Sequence, residues 1–251
     1  MNSTQHNINN KSNLNLVALL YNNGYQLIIS QGKKLIHFFK EDNVNGIKVF
    51  TDKIKSLNVE KFETAKILIN TPKNTFVPNT IYTPILKKEL FNLNFEETSE
   101  ENIATEILSL QKLVGLYEFT NQDKAKIVSI IPNARFFNSN SVLIENLMNV
   151  SSENGNIVSI TGNAIDIIIK NNSKLKLHCT NTFSNNDELL YFISLNLDQN
   201  NTLNYCGDFS NDNLSFLKNY FKLEEVNIKP YIVDEKLTSK NIIINNSFLC
   251  A

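Results

Sequence analysis

An internal repeat constrains this chain more than any other feature. Asn15-Leu16-Val17-Ala18-Leu19 is answered by Asn156-Ile157-Val158-Ser159-Ile160, and Leu27-Ile28-Ile29 by Ile167-Ile168-Ile169. Lys34-Leu35-Ile36-His37 is answered in turn by Leu175-Lys176-Leu177-His178, so the offset stays close to 141 residues. Each copy holds three short apolar runs divided by turn residues: Asn22-Asn23-Gly24 and Gln31-Gly32-Lys33 in the first copy, Thr161-Gly162-Asn163 in the second. Asn and Gly tolerate the positive φ that tight hairpins need, so each copy predicts an antiparallel three-stranded meander. A helical pattern and another buried strand follow in both, at Ile67 to Ile69 and at Leu203 to Cys206. Two copies of β-β-β-α-β-α argue for a gene duplication. The fold class is α/β with mixed sheets, in two lobes flanked by helices.

The rest of the chain fills in between these anchors. Residues 1–13 are polar and read as a disordered tail, 14–152 as the first lobe and 153–251 as the second. The stretch Ser151 to Gly155 has linker composition. In the first lobe, Val49 to Thr64 is loosely helical, and Pro84 suits the first turn of a helix reaching Leu93. Thr98 and Glu101 have capping-box spacing, which predicts a helix carrying Ile103, Ile107 and Leu110. Then come a strand (113–119), a helix (121–131), a strand (134–137) and a helix (139–150). In the second lobe, Ser184 and Asp187 are spaced as a cap for a helix whose apolar face includes Leu189 and Ile193. A helix over 211–221 follows, then strands over 226–228 and 242–245.

Composition removes several classes of function. The formal charge is -1, and of 24 basic residues only Arg135 is an arginine, so nothing here favours nucleic acid. The chain holds 42 Asn, which together with many Lys reads as the codon bias of an A+T-rich genome. The N-terminus lacks the apolar run of a signal peptide, and no window is apolar enough to span a membrane. The expectation is a cytoplasmic protein without membrane insertion. Cys179, Cys206 and Cys250 are an odd number with no C-x-x-C, so they read as reduced thiols.

The duplicated order β-β-β-α-β-α-β-α resembles the actin, sugar-kinase and heat-shock ATPase superfamily, a ribonuclease-H-like fold. More narrowly, the chain resembles an uncharacterised bacterial family, a domain of unknown function. The residues that carry this likeness are Thr75-Phe76-Val77-Pro78, Asn181-Thr182-Phe183 with Asp187 to Ile193, Leu203 to Asp208, and the terminal Ser247 to Ala251. The resemblance implies an actin-like fold and no particular activity.

It also implies where a nucleotide would sit. In active members each hairpin carries an Asp-x-Gly loop whose amides hold phosphate, and whose Asp manages Mg²⁺ or a water. Here the first loop has Asn23 and Gly24, the second Gly162 and Asn163, and neither has a carboxylate. The glycine pair expected near adenosine is a single Gly207 followed by Asp208. These six residues bind a cofactor only if a nucleotide binds at all, and no residue stands out as catalytic or as a metal ligand. The favoured expectation is a non-catalytic scaffold without cofactor that binds another protein. The alternative is a divergent ATP-binding ATPase or phosphotransferase using ATP with magnesium.

Other candidates have plainer explanations. His37 and His178 fall at matching strand positions, which gives them a structural role derived from the repeat. A metal site from His178, Cys179 and Cys206 is disfavoured, because adjacent strand residues point to opposite faces. Asp166 interrupts an apolar strand and reads as an outward-facing position. Asp187 and Glu188 complement a helix dipole. Lys33, Lys34 and Lys40 read as a solvated surface.

Overall fold

The computed structural model describes residues 13–57, 61–96, 98–148, 154–198 and 202–249. Residues 1–12 of the expected tail (1–13), residues 151–153 of the expected linker and Cys250 lie outside the described residues.

The first half begins with the predicted meander: β1 (Asn15–Tyr21), β2 (Gly24–Gln31) and β3 (Lys34–Asp42), followed by α1 (Gly46–Ser56) and β4 (Thr64–Ile69). An insertion follows, made of β5 (Asn74–Pro78), α2 (Lys87–Asn92), β6 (Ile103–Leu108) and β7 (Leu113–Glu118). Then come α3 (Asn121–Val128), β8 (Ala134–Asn138) and α4 (Ser139–Met148). The second half repeats the plan with β9 (Gly155–Thr161), β10 (Ala164–Asn171), β11 (Lys174–Thr182), α5 (Asn186–Asn196), β12 (Thr202–Gly207), α6 (Asn211–Leu217), β13 (Lys222–Glu225) and α7 (Ile242–Asn246).

The two large sheets have one topology. Their strand orders are β3-β2-β1-β4-β8 and β11-β10-β9-β12-β13. β4 runs parallel to β1, and β12 to β9. Even a β-bulge is duplicated, between Ile29 and Ser30 in one half and between Ile169 and Lys170 in the other. The strand limits set the true offset at 140, one less than the sequence reading, since Asn15 matches Gly155 and Lys34 matches Lys174. A one-residue slip moves a side chain to the other face of its strand. His37 therefore matches Leu177, and His178 matches Phe38, so the two histidines are not equivalent.

Alternation along the strands divides the apolar residues between two faces. Leu16, Ala18 and Leu20 pack outward, against Phe50 and Ile54 of α1 and Ile127 of α3. Val17, Leu19 and Ile28 pack inward, with Ile157, Ile168 and Cys206 from the other half and with α4 and α7. On the far side Val158, Ile165 and Ile167 meet Leu189 and Ile193 of α5 and Leu217 of α6. The result is five layers, α-β-α-β-α, with α4 and α7 enclosed between the sheets.

Three readings of local structure need correction. The residues after Thr98 form only a 3-10 turn (Glu100–Asn102) and then β6, which pairs antiparallel with β7. The Thr98 hydroxyl is engaged with the Glu96 carbonyl instead of capping a helix. Residues 242–245 are helical, not extended, because their neighbours are apolar all round; Ile242, Ile243 and Ile244 are all buried. The last strand is Lys222–Glu225, ahead of the predicted 226–228, and it pairs parallel with β12. A smaller shift concerns α5, which is capped by Asn185, whose side chain accepts from the Glu188 amide, and not by Ser184. The insertion forms its own sheet, β5-β7-β6. One face of that sheet holds Phe91 of α2 over Val77, Ile103, Val114 and Leu116.

Candidate functional site

The two hairpin turns meet where the halves join. Gly162 has φ 60°, and a Cβ there would lie 2.7 Å from Asn23 Oδ1 and 2.8 Å from the Tyr21 ring. Only glycine lets the turns approach this closely. Gly24 is equally hemmed in, with the Glu41 carbonyl oxygen 2.4 Å from its hypothetical Cβ. Asn163 lies beyond the contact, its carbonyl accepting from the Phe183 amide at 2.9 Å.

The third loop turns at Gly207, whose φ of 86° is the left-handed region. The next amide, of Asp208, donates to the Ile160 carbonyl at 2.8 Å, which aims the Asp208 side chain at the first half. There Lys40 Nζ donates to Oδ1 at 2.8 Å and Gln26 Nε2 to Oδ2 at 3.1 Å. Burial raises the Asp208 pKa, and Lys40 opposes the rise. Lys40 thus holds a carboxylate across the junction and is not a free surface cation. Gln26 Oε1 accepts from Asn241 Nδ2 at 3.1 Å, just ahead of α7. Tyr21 donates to Asp42, and its hydroxyl pKa is raised, chiefly by burial.

A second polar cluster occupies the matching place in the other half. Asp166 lies on β10 where Gln26 lies on β2, and it is fully buried. Its inward face meets the other lobe, which corrects the expectation of an outward position. Asp166 Oδ1 accepts from Asn140 Nδ2 at 2.8 Å and from the Thr180 hydroxyl at 2.6 Å. His178 Nε2 stands 3.6 Å from the same oxygen, with Phe76 edge-on to its ring. Asn74 on β5 also donates to Thr180, so the cluster draws on both halves.

Among the described residues no group of three His, Cys, Asp or Glu is placed to hold a metal. Cys179 and Cys206 are free thiols; burial pushes them up to about 11 and about 12. The structure thus brings Asn23, Gly24, Gly162, Gly207 and Asp208 to one junction. Of their partners, Tyr21 and Gln26 were not singled out in the sequence, and Lys40 was read there as solvated surface. A signal did exist: Gln26 and Asp166 interrupt the matching apolar runs Tyr25 to Ile29 and Ile165 to Ile169.

A family model described as Protein of unknown function (DUF3822) matches residues 5–221. The chain belongs to the DUF3822 family. No curated protein matches its sequence. Among solved structures, the DUF3822 chain is similar to a Bacteroides thetaiotaomicron protein with actin-like ATPase fold and unknown function (TM-score 0.76, 17% identity, 95% of this chain and 96% of that one). It is also similar to the cytoplasmic domain of EpsL, an inner membrane component of the type II secretion system of Vibrio cholerae (TM-score 0.54, 7% identity, 95% and 96%). A third similar structure is the PilM-PilN type IV pilus biogenesis complex (TM-score 0.53, 12% identity, 94% and 96%). The fold of this DUF3822 protein is that of the actin-like ATPases. Among its described residues no helix is long and apolar enough to cross a membrane.

Proposed function

We propose that this protein is a non-catalytic actin-like module of the cytoplasm that docks a partner protein. The observation that carries the reading is the exposed apolar surface of the insertion, most of it around α2. Of ten exposed large apolar side chains among the described residues, six belong to the insertion: Ile81, Ile85, Leu86, Leu93, Ile107 and Leu110. Ile85 is 87% exposed, Leu93 79% and Leu110 78%. Burying one such side chain is worth about 1.5–3 kcal/mol, and concentrated exposure of this kind marks interaction surfaces.

The junction supports the same reading. Its hairpin turns carry no carboxylate for magnesium, Asn23 packs against Gly162, and Lys40 neutralises Asp208. PilM, which shares the fold, occurs in a complex with PilN. The alternative is a divergent ATP-binding protein that would use Asn23, Asn163 and Asp208 around phosphate and magnesium.

Two measurements separate the readings. Titration calorimetry with ATP and Mg²⁺ is expected to give no saturable heat. A partner captured by the wild-type chain is expected to be lost from an Ile85→Asp/Leu93→Asp variant of unchanged melting temperature. Saturable ATP binding, weakened by Asp208→Ala, would overturn the proposal.

A further inference from the structure

A cavity of about 780 Å³ opens in the first half, at the carboxyl ends of β1 and β4. It lies along α1 from Asn45 to Lys55 and along α3 from Thr120 to Ile130, and is bounded by the two connections into the inserted sheet, residues 71–73 and 118–120. Leu20, Ile69 and Phe119 give it an apolar floor, and Lys48, Lys55, Lys73 and Lys126 line its walls. Lys48, Thr51 and Lys55 share one face of α1, at positions i, i+3 and i+7.

The charges around it do not balance. Lys73 pairs with Glu118 at 3.4 Å and Lys126 with Asp123 at 2.9 Å, and both carboxylates also line the cavity. Among the described residues no carboxylate pairs with Lys48 or Lys55. Two positive charges therefore face a space whose volume falls in the usual range for small-molecule sites, roughly 300–1,000 Å³. The hydroxyl of Thr71 and the amide of Asn22 supply neutral hydrogen-bonding groups on the same walls, while Thr51 and Thr120 already donate to the Lys48 carbonyl and to Asp123.

We infer that this cavity binds a small phosphate monoester. Lys48 and Lys55 hold the phosphate, and the organic body lies on Leu20, Ile69 and Phe119. A phosphate monoester carries about -1.5 to -2 at neutral pH, which matches the two unpaired lysines. A monocarboxylate supplies half of that. The site shares Tyr21 and Asn22 with the first hairpin turn, takes none of Gly162, Gly207 or Asp208, and does not rest on the docking role. Because the cavity is walled by both connections into the inserted sheet, an occupant grips the base of that sheet.

The test is calorimetry of the full chain with glycerol 3-phosphate. The expected result is saturable binding with Kd of about 1 mM or tighter, with no binding of glycerol and at least about tenfold weaker binding of glycerate, the monocarboxylate of similar size. A Lys48→Ala/Lys55→Ala variant is expected to melt like the wild type and to bind at least about tenfold more weakly. A Lys222→Ala variant, altered at an exposed residue paired with Glu224, should bind like the wild type. No saturable heat with glycerol 3-phosphate, affinity that survives the double substitution, or equal affinity for glycerate would overturn the inference.

Discussion

Glu106 links pH to the stability of the insertion. It leaves β6 toward the base of α4, where it accepts from the Asn138 amide at 2.8 Å. Burial pushes its carboxyl up to about 7 from the usual 4.5, against the opposing pull of that amide. A shift of that size corresponds to about 3 kcal/mol between the protonated and ionised forms. The direction follows from the raised folded-state pKa. The favourable contribution of protonated Glu106 is complete below about 4.5, fades as pH climbs, and is gone above about 7. Glu106→Gln keeps an acceptor for the Asn138 amide and removes the charge. Urea unfolding of both proteins between pH 4.5 and 8 isolates the effect, because every other titration cancels in the difference. The Gln variant should gain about 3 kcal/mol on the wild type across that interval. A difference that stays flat with pH would refute the reasoning.

Three further outcomes are expected. Gly207→Ala should cost more than about 2 kcal/mol by urea denaturation, since it combines a left-handed backbone with a Cβ 2.3 Å from the Ile160 carbonyl oxygen. Lys40→Met should destabilise by about 1–3 kcal/mol, because it leaves Asp208 without its cation, and Asp208→Asn in the same chain should recover most of the loss. Cys206, almost fully buried and with its thiol pushed up to about 12, should resist an alkylating reagent in the native protein and react once urea unfolds it.

The repeat was legible because hairpin turns are written in Asn and Gly, and because both faces of each sheet are apolar. The same property hid the role of Asp166. An alternation rule treats the face away from the flanking helix as solvent, but here that face is covered by the opposite half. The run Ile242-Ile243-Ile244 is β-branched and reads as a strand, yet enclosure between two sheets leaves no polar face to give helical periodicity. Thr98 and Glu101 have the spacing of a cap, and the pairing of β6 with β7 overrode it. Asp208 was visible as a candidate; its partners Gln26 and Lys40, 182 and 168 residues away, were not.

The enclosed helices carry a consequence for how such a chain can exist at all. α4, from the first half, packs on β10 and β11, and its Asn140 binds Asp166. α7, from the second half, packs on β1 and β2, and the Asn241 just ahead of it binds Gln26. Each half lends its last helix to the other, in the reciprocal manner of a two-fold dimer interface. In symmetry terms the molecule is a homodimer whose two subunits are joined end to end and have since drifted apart in sequence. A half expressed alone would keep its own helix on β8 or β12 and lack the one that covers its hairpin strands. Mixing the two halves as separate chains should restore the fold, while either one by itself should aggregate or pair with its own copy.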